Sequence, residues 1–230
     1  MTKRFFIHFC LLLALGTTTV VFNSCGKDEA SEQKNSEEQG GSDSNNITVK
    51  GIVINGVEWA TCNIATPGTF VDKPENFGMF YQWNRKIGWS SIDPLINSDG
   101  ETYWDSSISE GSTWTSANDP SPTGWRVPNL DDIRKLLDTD KVDNEWATVN
   151  GVNGKKFTDK ISGNSIFLPA AGSRYSYTSA LYNTDTDGHY WSSTSDVANA
   201  YLMTFCNDCA YWHNGSNNRG NGHSIRPVVK

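Results

Sequence analysis

Residues 188–230 read GHYWSSTSDVANAYLMTFCNDCAYWHNGSNNRGNGHSIRPVVK, a pattern of strand, strand, polar loop and strand. Tyr190-Trp191-Ser192-Ser193-Thr194 opens the block, and Ala200 to Phe205 alternates apolar and polar residues as a half-buried strand does. Ser224-Ile225-Arg226-Pro227-Val228-Val229 closes the chain. Between the strands, Cys206 to His223 is expected to form an aromatic-rich polar loop held open to water. Tyr, His, Asn, Ser and Asp make adaptable contacts around aromatic anchors, so a recognition surface is expected here. A solvated loop with no ligand is the competing reading. Arg226, set between Ile225 and Pro227, is expected to bond a carboxylate or carbonyls and tie down the base of the loop.

Outward from this block, one helix stands out. Asn129 suits an N-cap, Asp131 and Asp132 suit the positive helix start, and Leu130, Ile133, Leu136 and Leu137 share a face. ITVKGIVINGVE, residues 47–58, alternates around Asn55-Gly56 as a hairpin does. Pro67-Gly68, Asn150-Gly151 and Asn153-Gly154 read as turns. Phe77 to Trp83 reads as a buried strand or a close-packed loop, and Ser165 to Ala171 as a buried strand ending at Gly172. From Asn84 to Thr123 there is little periodicity, yet Trp89, Trp104 and Trp114 should pin that segment to the core. Many short strands, one convincing helix and long loops predict an α+β domain.

The N-terminal residues are read as an address. Lys3 and Arg4 precede an apolar run, Phe5 to Val21, that ends at Phe22-Asn23-Ser24-Cys25. That is the form of a secretory signal over residues 1–24, with Cys25 placed as the lipid-bearing residue of a bacterial lipoprotein. Plain secretion, with Cys25 unmodified, is the alternative. Residues 26–46 hold almost nothing apolar and are expected to be a disordered tether. Asp28-Glu29 resembles the export tag of Bacteroidetes surface lipoproteins; a simple acidic linker is equally open. Residues 47–230 then form one domain carrying all nine tryptophans. The net charge of −7 becomes −9 once Lys3 and Arg4 leave with the signal, so nucleic acid is not expected as a partner.

Six ordered blocks, NGVEWATCNI, FGMFYQWNR, DPSPTGWRVPNLDDIRKLLD, IFLPAAGSRY, YWSSTS and NNRGNGHSIRPV, resemble the Fibrobacter succinogenes major paralogous domain, a family of surface and secreted domains. The resemblance spans residues 47–230. It implies a C-type lectin-like fold, with Ile47–Ile54 pairing against Ser224–Val229. The terminal block is also similar to the variable regions of retroelement-diversified lectin-fold proteins. That likeness implies changeable, ligand-contacting positions at Cys206, Asn207, Asp208, Cys209, Tyr211, His213, Asn214, Ser216, Asn217, Asn221 and His223. The expected partners are a protein or glycan ligand, and the outer membrane through the lipid. A structural or fimbrial envelope subunit is the first alternative.

Chemistry beyond binding has few candidates. Cys206-Asn207-Asp208-Cys209 could join His213 and Cys62 around zinc, but no second C-x-x-C accompanies it. In an oxidising compartment a local disulfide, or two exposed side chains, fits better. A thioredoxin-like role needs a βαβ setting that is missing. Formylglycine-generating enzymes place paired cysteines in the same part of the chain, but their other blocks are absent. Ser192 and Ser193 lack a nucleophile elbow. Asp185 and Asp187 lack EF-hand spacing for calcium. No cofactor, no metal and no catalysis are therefore expected, with a cysteine-based oxidoreductase or metal enzyme as the second alternative.

Overall fold

The computed structural model describes residues 50–196 and 199–230, with side chains throughout except at 214–216. The signal segment, Cys25, the tether and the start of the 47–58 stretch lie outside the described residues. Among the described residues no helix is long and apolar enough to cross a membrane.

The chain opens with the expected hairpin, β1 (Gly51–Ile54) and β2 (Val57–Ala60), turned by Asn55 and Gly56 at φ 44° and 75°. Positive φ at both positions is what a tight two-residue hairpin turn requires. β3 (Met79–Tyr81) and β4 (Gly88–Ser90) form a second hairpin, followed by the short β5 (Trp125–Arg126). α1 (Leu130–Leu136) starts at Asn129, whose side chain accepts from the Asp132 amide while Asp132 accepts from the Asn129 amide. The reciprocal bonds satisfy two orphan donors of the helix start. Asp132 is thus a cap, and it also pairs with Arg126 at 2.7 Å.

β6 (Val142–Val149), β7 (Val152–Asp159) and β8 (Ser165–Pro169) make a three-stranded meander. Asn150-Gly151 turns it as expected, but Asn153-Gly154 is not a turn and lies inside β7. Gly154 is required there because a Cβ would run into the Leu168 carbonyl and the Phe167 ring. β9 (Ser173–Arg174) pairs with β10 (Leu181–Tyr182). Last come β11 (Gly188–Asp196), β12 (Asn199–Cys206), β13 (Cys209–Asn218) and β14 (Val228–Val229).

Two corrections follow. The class is β rather than α+β: strands take 43% and helix 4%, and α1 is the only helix among the described residues. The helix lies where the sequence places it, and the tryptophans between Asn84 and Thr123 pin that segment as expected: Trp89 is buried in β4, Trp114 is buried, and Trp104 donates through Nε1 to the Ser176 carbonyl. The terminal pairing also differs. β14 sits between β2 and β5, with Val228 opposite Trp59 and Arg126, so β2 separates the first strand from the last. The alternation of residues 47–58 is that of a whole hairpin, and its second strand takes the partner.

The antiparallel sheet β11-β12-β13 divides the interior. Tyr190, Met203 and Phe205 join Ile54, Trp59, Ile133, Leu136, Phe157 and Leu168 in one core. Trp191 and Leu202, on the opposite face, join Ile64, Tyr81, Trp83, Trp114 and Ile225 in a second. β11 and β12 are therefore buried on both sides, and β13 is the edge.

Three buried guanidiniums fasten the irregular segments. Arg174 donates to the carbonyls of Ser90, Ser179 and Ile92. Arg219 donates to those of Asn199, Ser109 and Gly111 and lies 4.2 Å over the Trp83 ring. Arg226 donates to Asn63 Oδ1 and to the carbonyls of Ala60, Thr61 and Phe167. A planar fork of donors suits carbonyls that no ladder satisfies. Arg226 thus ties the chain end to β2 and β8 as a scaffold element, through carbonyls rather than a carboxylate.

Candidate functional site

The stretch read as an open loop is mostly strand. β13 pairs with β12 from Cys206↔Cys209 to Asn199↔Asn218, with a register shift between Ala200 and Leu202. Asn and Gly are poor strand formers in isolation, but a partner ladder overrides that preference. The result is a long hairpin whose two-residue tip, Asn207-Asp208, is exposed.

Two devices close the tip. Cys206 and Cys209 are disulfide-bonded, with Cα atoms 4.9 Å apart. Beneath them Lys155 of β7 sends Nζ to the carbonyls of Cys206, Asn207 and Cys209 at 3.1, 3.0 and 3.2 Å. Burial lowers the Lys155 pKa, and the Asp208 carboxylate opposes that shift. An ammonium has three donors and no acceptor, so all three are consumed here. Lys155 escaped the sequence reading because nothing local links it to residues fifty positions later. A buried lysine within a β-patterned GKKF run was the available signal.

Beyond the tip, side chains alternate across β13. Tyr211 and His213 share one face, with ring centroids 4.7 Å apart. Trp212 faces the other way, near Tyr201, with the Arg134 guanidinium 4.8 Å over its ring. Tyr211 and Trp212 remain 44% and 37% exposed. Each face of this edge strand thus carries one aromatic ring open enough to make a contact.

The other expected contact positions divide. Asn214 and Ser216 lie in β13, but their side chains fall outside the described residues. Asn217 sits opposite Ala200, and its Nδ2 is buried without a partner among the described residues. Asn221 has a structural role, accepting from the Ser176 amide through Oδ1. His223 is 3% exposed, set edge-on to Trp191 at 4.4 Å, and does not reach the surface.

His223 belongs to a buried pair. His189 lies 5.4 Å from it, bonds Thr204 through Nδ1 and has Asp187 4.0 Å from Nε2. Burial pushes His189 down to about 4, Asp187 opposes the shift and His213 adds to it. Burial, then His189, holds His223 well below the usual histidine range. Neither ring nitrogen of His223 has a partner among the described residues.

The metal and nucleophile candidates do not assemble. Cys206 and Cys209 are bonded to each other, and Cys62 is a buried free thiol raised by desolvation. Among the described residues no group of three His, Cys, Asp or Glu side chains gathers. Asp185 accepts from the Asn153 amide and ties its loop to β7, while Asp187 accepts from Asn183 Nδ2 and braces the loop itself. Ser192 is fully buried, and its Oγ accepts from the Thr194 amide.

The fold and site define a β-rich domain with a fastened, aromatic-bearing edge hairpin. No family model, curated protein or solved structure matches the chain. The expectation of a C-type lectin-like fold is withdrawn with the α+β class, since the strand-dominated architecture finds no lectin neighbour.

Proposed function

We propose that this protein is a lipoprotein, lipidated at Cys25, that displays a ligand-binding domain outside the outer membrane and contacts its ligand through the β12–β13 hairpin. The observation that carries the reading is the hairpin itself. Its tip is fastened by a disulfide and by Lys155, while Tyr211 and Trp212 stay open to water. A rigid aromatic contact loses little conformational entropy on binding, which is why such residues serve as anchors. The charged, apolar and Ser-Cys pattern of the first 25 residues supports the address. The six blocks resembling a family of surface and secreted domains support it too. The terminal block's likeness to retroelement-diversified regions supports the hairpin as the variable element.

The test is a protein and glycan array probed with the protein, alongside Tyr211→Ala and Trp212→Ala. Binding that one of the two substitutions weakens by roughly tenfold or more is expected, the scale of an anchor contact, and the sensitive ring marks the contact face. Silence on both arrays from folded protein would sink the reading. A second reading, an envelope assembly subunit, is favoured by one observation: β13 ends its sheet and offers an unpaired edge. Concentration-dependent self-association that a proline at an edge-facing position of β13 abolishes would favour assembly.

A further inference from the structure

One concavity has no residue of the β12–β13 hairpin in its lining. It occupies about 480 Å³ between the β3–β4 hairpin and the segment from Asn97 to Asp105. That volume falls within the roughly 300–1,000 Å³ of small-molecule sites. We propose that this cleft binds a neutral, polyhydroxylated ligand, a saccharide, between the fixed amides of Gln82 and Asn97 and the ring of Tyr103.

The two amides carry the inference. Gln82 is 1% exposed, and its Nε2 donates to the Asp105 and Gly220 carbonyls at 2.6 and 3.0 Å. Those bonds orient the group, and its Oε1 bonds no other described residue. Asn97 is 7% exposed and the mirror case: its Oδ1 accepts from the Asp99 and Glu101 amides at 2.9 and 2.8 Å. Its Nδ2 bonds no described residue. Both residues line the cleft. The cleft thus holds one positioned acceptor and one positioned donor, each held from behind by backbone. Neither remaining end is buried without a partner, so both open on the cleft, where a ligand can replace the water that meets them.

The remaining lining fixes the ligand's character. Arg85, the cation of the lining, is paired with Asp105 and also bonds Ser107, so its charge is already matched. Arg85 holds the Asp105 carboxyl down to about 2, so that pair stays ionised and neutral overall. Glu101 adds carboxylate acceptors, which disfavour anions and suit hydroxyl donors. Tyr103 is 79% exposed and offers an apolar ring face with a polar tip at the mouth. Donor, acceptor, carboxylate and exposed ring together match a sugar's hydroxyls and its C–H face.

The site is separate from the β12–β13 hairpin and does not depend on it. The experiment is an array of neutral, acidic and amino sugars probed with the full-length chain, alongside Tyr103→Ala, Asn97→Asp and Tyr211→Ala. Neutral sugars are expected to be retained, and Tyr103→Ala and Asn97→Asp to weaken retention by roughly tenfold, the scale of one lost contact. Tyr211→Ala reports on the hairpin alone: sugar retention that it abolishes while Tyr103→Ala leaves it intact belongs to the hairpin and not to the cleft. Tyr103 is exposed enough that its loss leaves the fold intact, so a result is read even if Asn97→Asp misfolds. Four results overturn the proposal: no sugar retained by folded protein, retention indifferent to Tyr103→Ala, preference for acidic or amino sugars, or loss only with Tyr211→Ala. The last would leave the hairpin reading standing.

Discussion

Two side chains show how single residues here do work that a ladder does elsewhere. Arg226 is 1% exposed and satisfies carbonyls on β2, beside it and on β8. Removing it leaves buried acceptors unpaired, and each costs about 1–3 kcal/mol. Arg226→Ala is expected to destabilise by at least about 3 kcal/mol in denaturant unfolding. A change in ligand binding with unaltered stability would refute its scaffold role. Lys155→Met keeps the apolar stem but strips three turn carbonyls of their donor. It is expected to cost about 2–3 kcal/mol and to speed amide exchange at residues 206–209. Unchanged exchange would mean the disulfide alone shapes the tip.

At the scale of elements, the central sheet depends on a cross-strand fit. Gly188 sits opposite Phe205, and a Cβ there would enter the Phe205 ring. That ring belongs to the core beside Phe157, at 6.2 Å, so it has nowhere to retreat. Gly188→Ala is expected to cost about 1–3 kcal/mol, the usual penalty of overpacking, read by thermal unfolding. A variant as stable as the parent would show that the ring can swing aside. The hairpin tip is more forgiving. Closing so short a loop restricts the unfolded chain little, so Cys206→Ser with Cys209→Ser should cost no more than about 2 kcal/mol. Lys155 should hold the turn in place, and ligand binding should persist.

Across the whole molecule, the buried histidines set a pH response. His189 and His223 are neutral when folded, with pKa values pushed below the ordinary value near 6.5. Between about 6.5 and 4 the unfolded chain binds more protons than the folded one. Stability is therefore full above about pH 6.5 and falls as pH drops toward 4. The Asp105 ion pair, held near 2, weakens only below that window. Thermal unfolding from pH 7 to 4.5 should show a steady fall in Tm that His189→Gln flattens. A Tm that stays level over that range would mean the pair is hydrated and free to ionise.

What the residues alone determined is local. The Asn55-Gly56 and Asn150-Gly151 turns, the capped helix at Asn129 and the tryptophan anchors in the long loop follow from backbone preference and burial over a few neighbouring positions. The class did not follow, because strands such as β6 and β7 carry polar residues whose order comes from their partners. Only the tertiary structure turned residues 209–218 into an edge strand, set Lys155 under a turn fifty residues away, sank His223 and faced the remaining ends of Gln82 and Asn97 toward one cleft. Each of these depends on contacts distant in sequence, and no local pattern encodes which surface a side chain will meet.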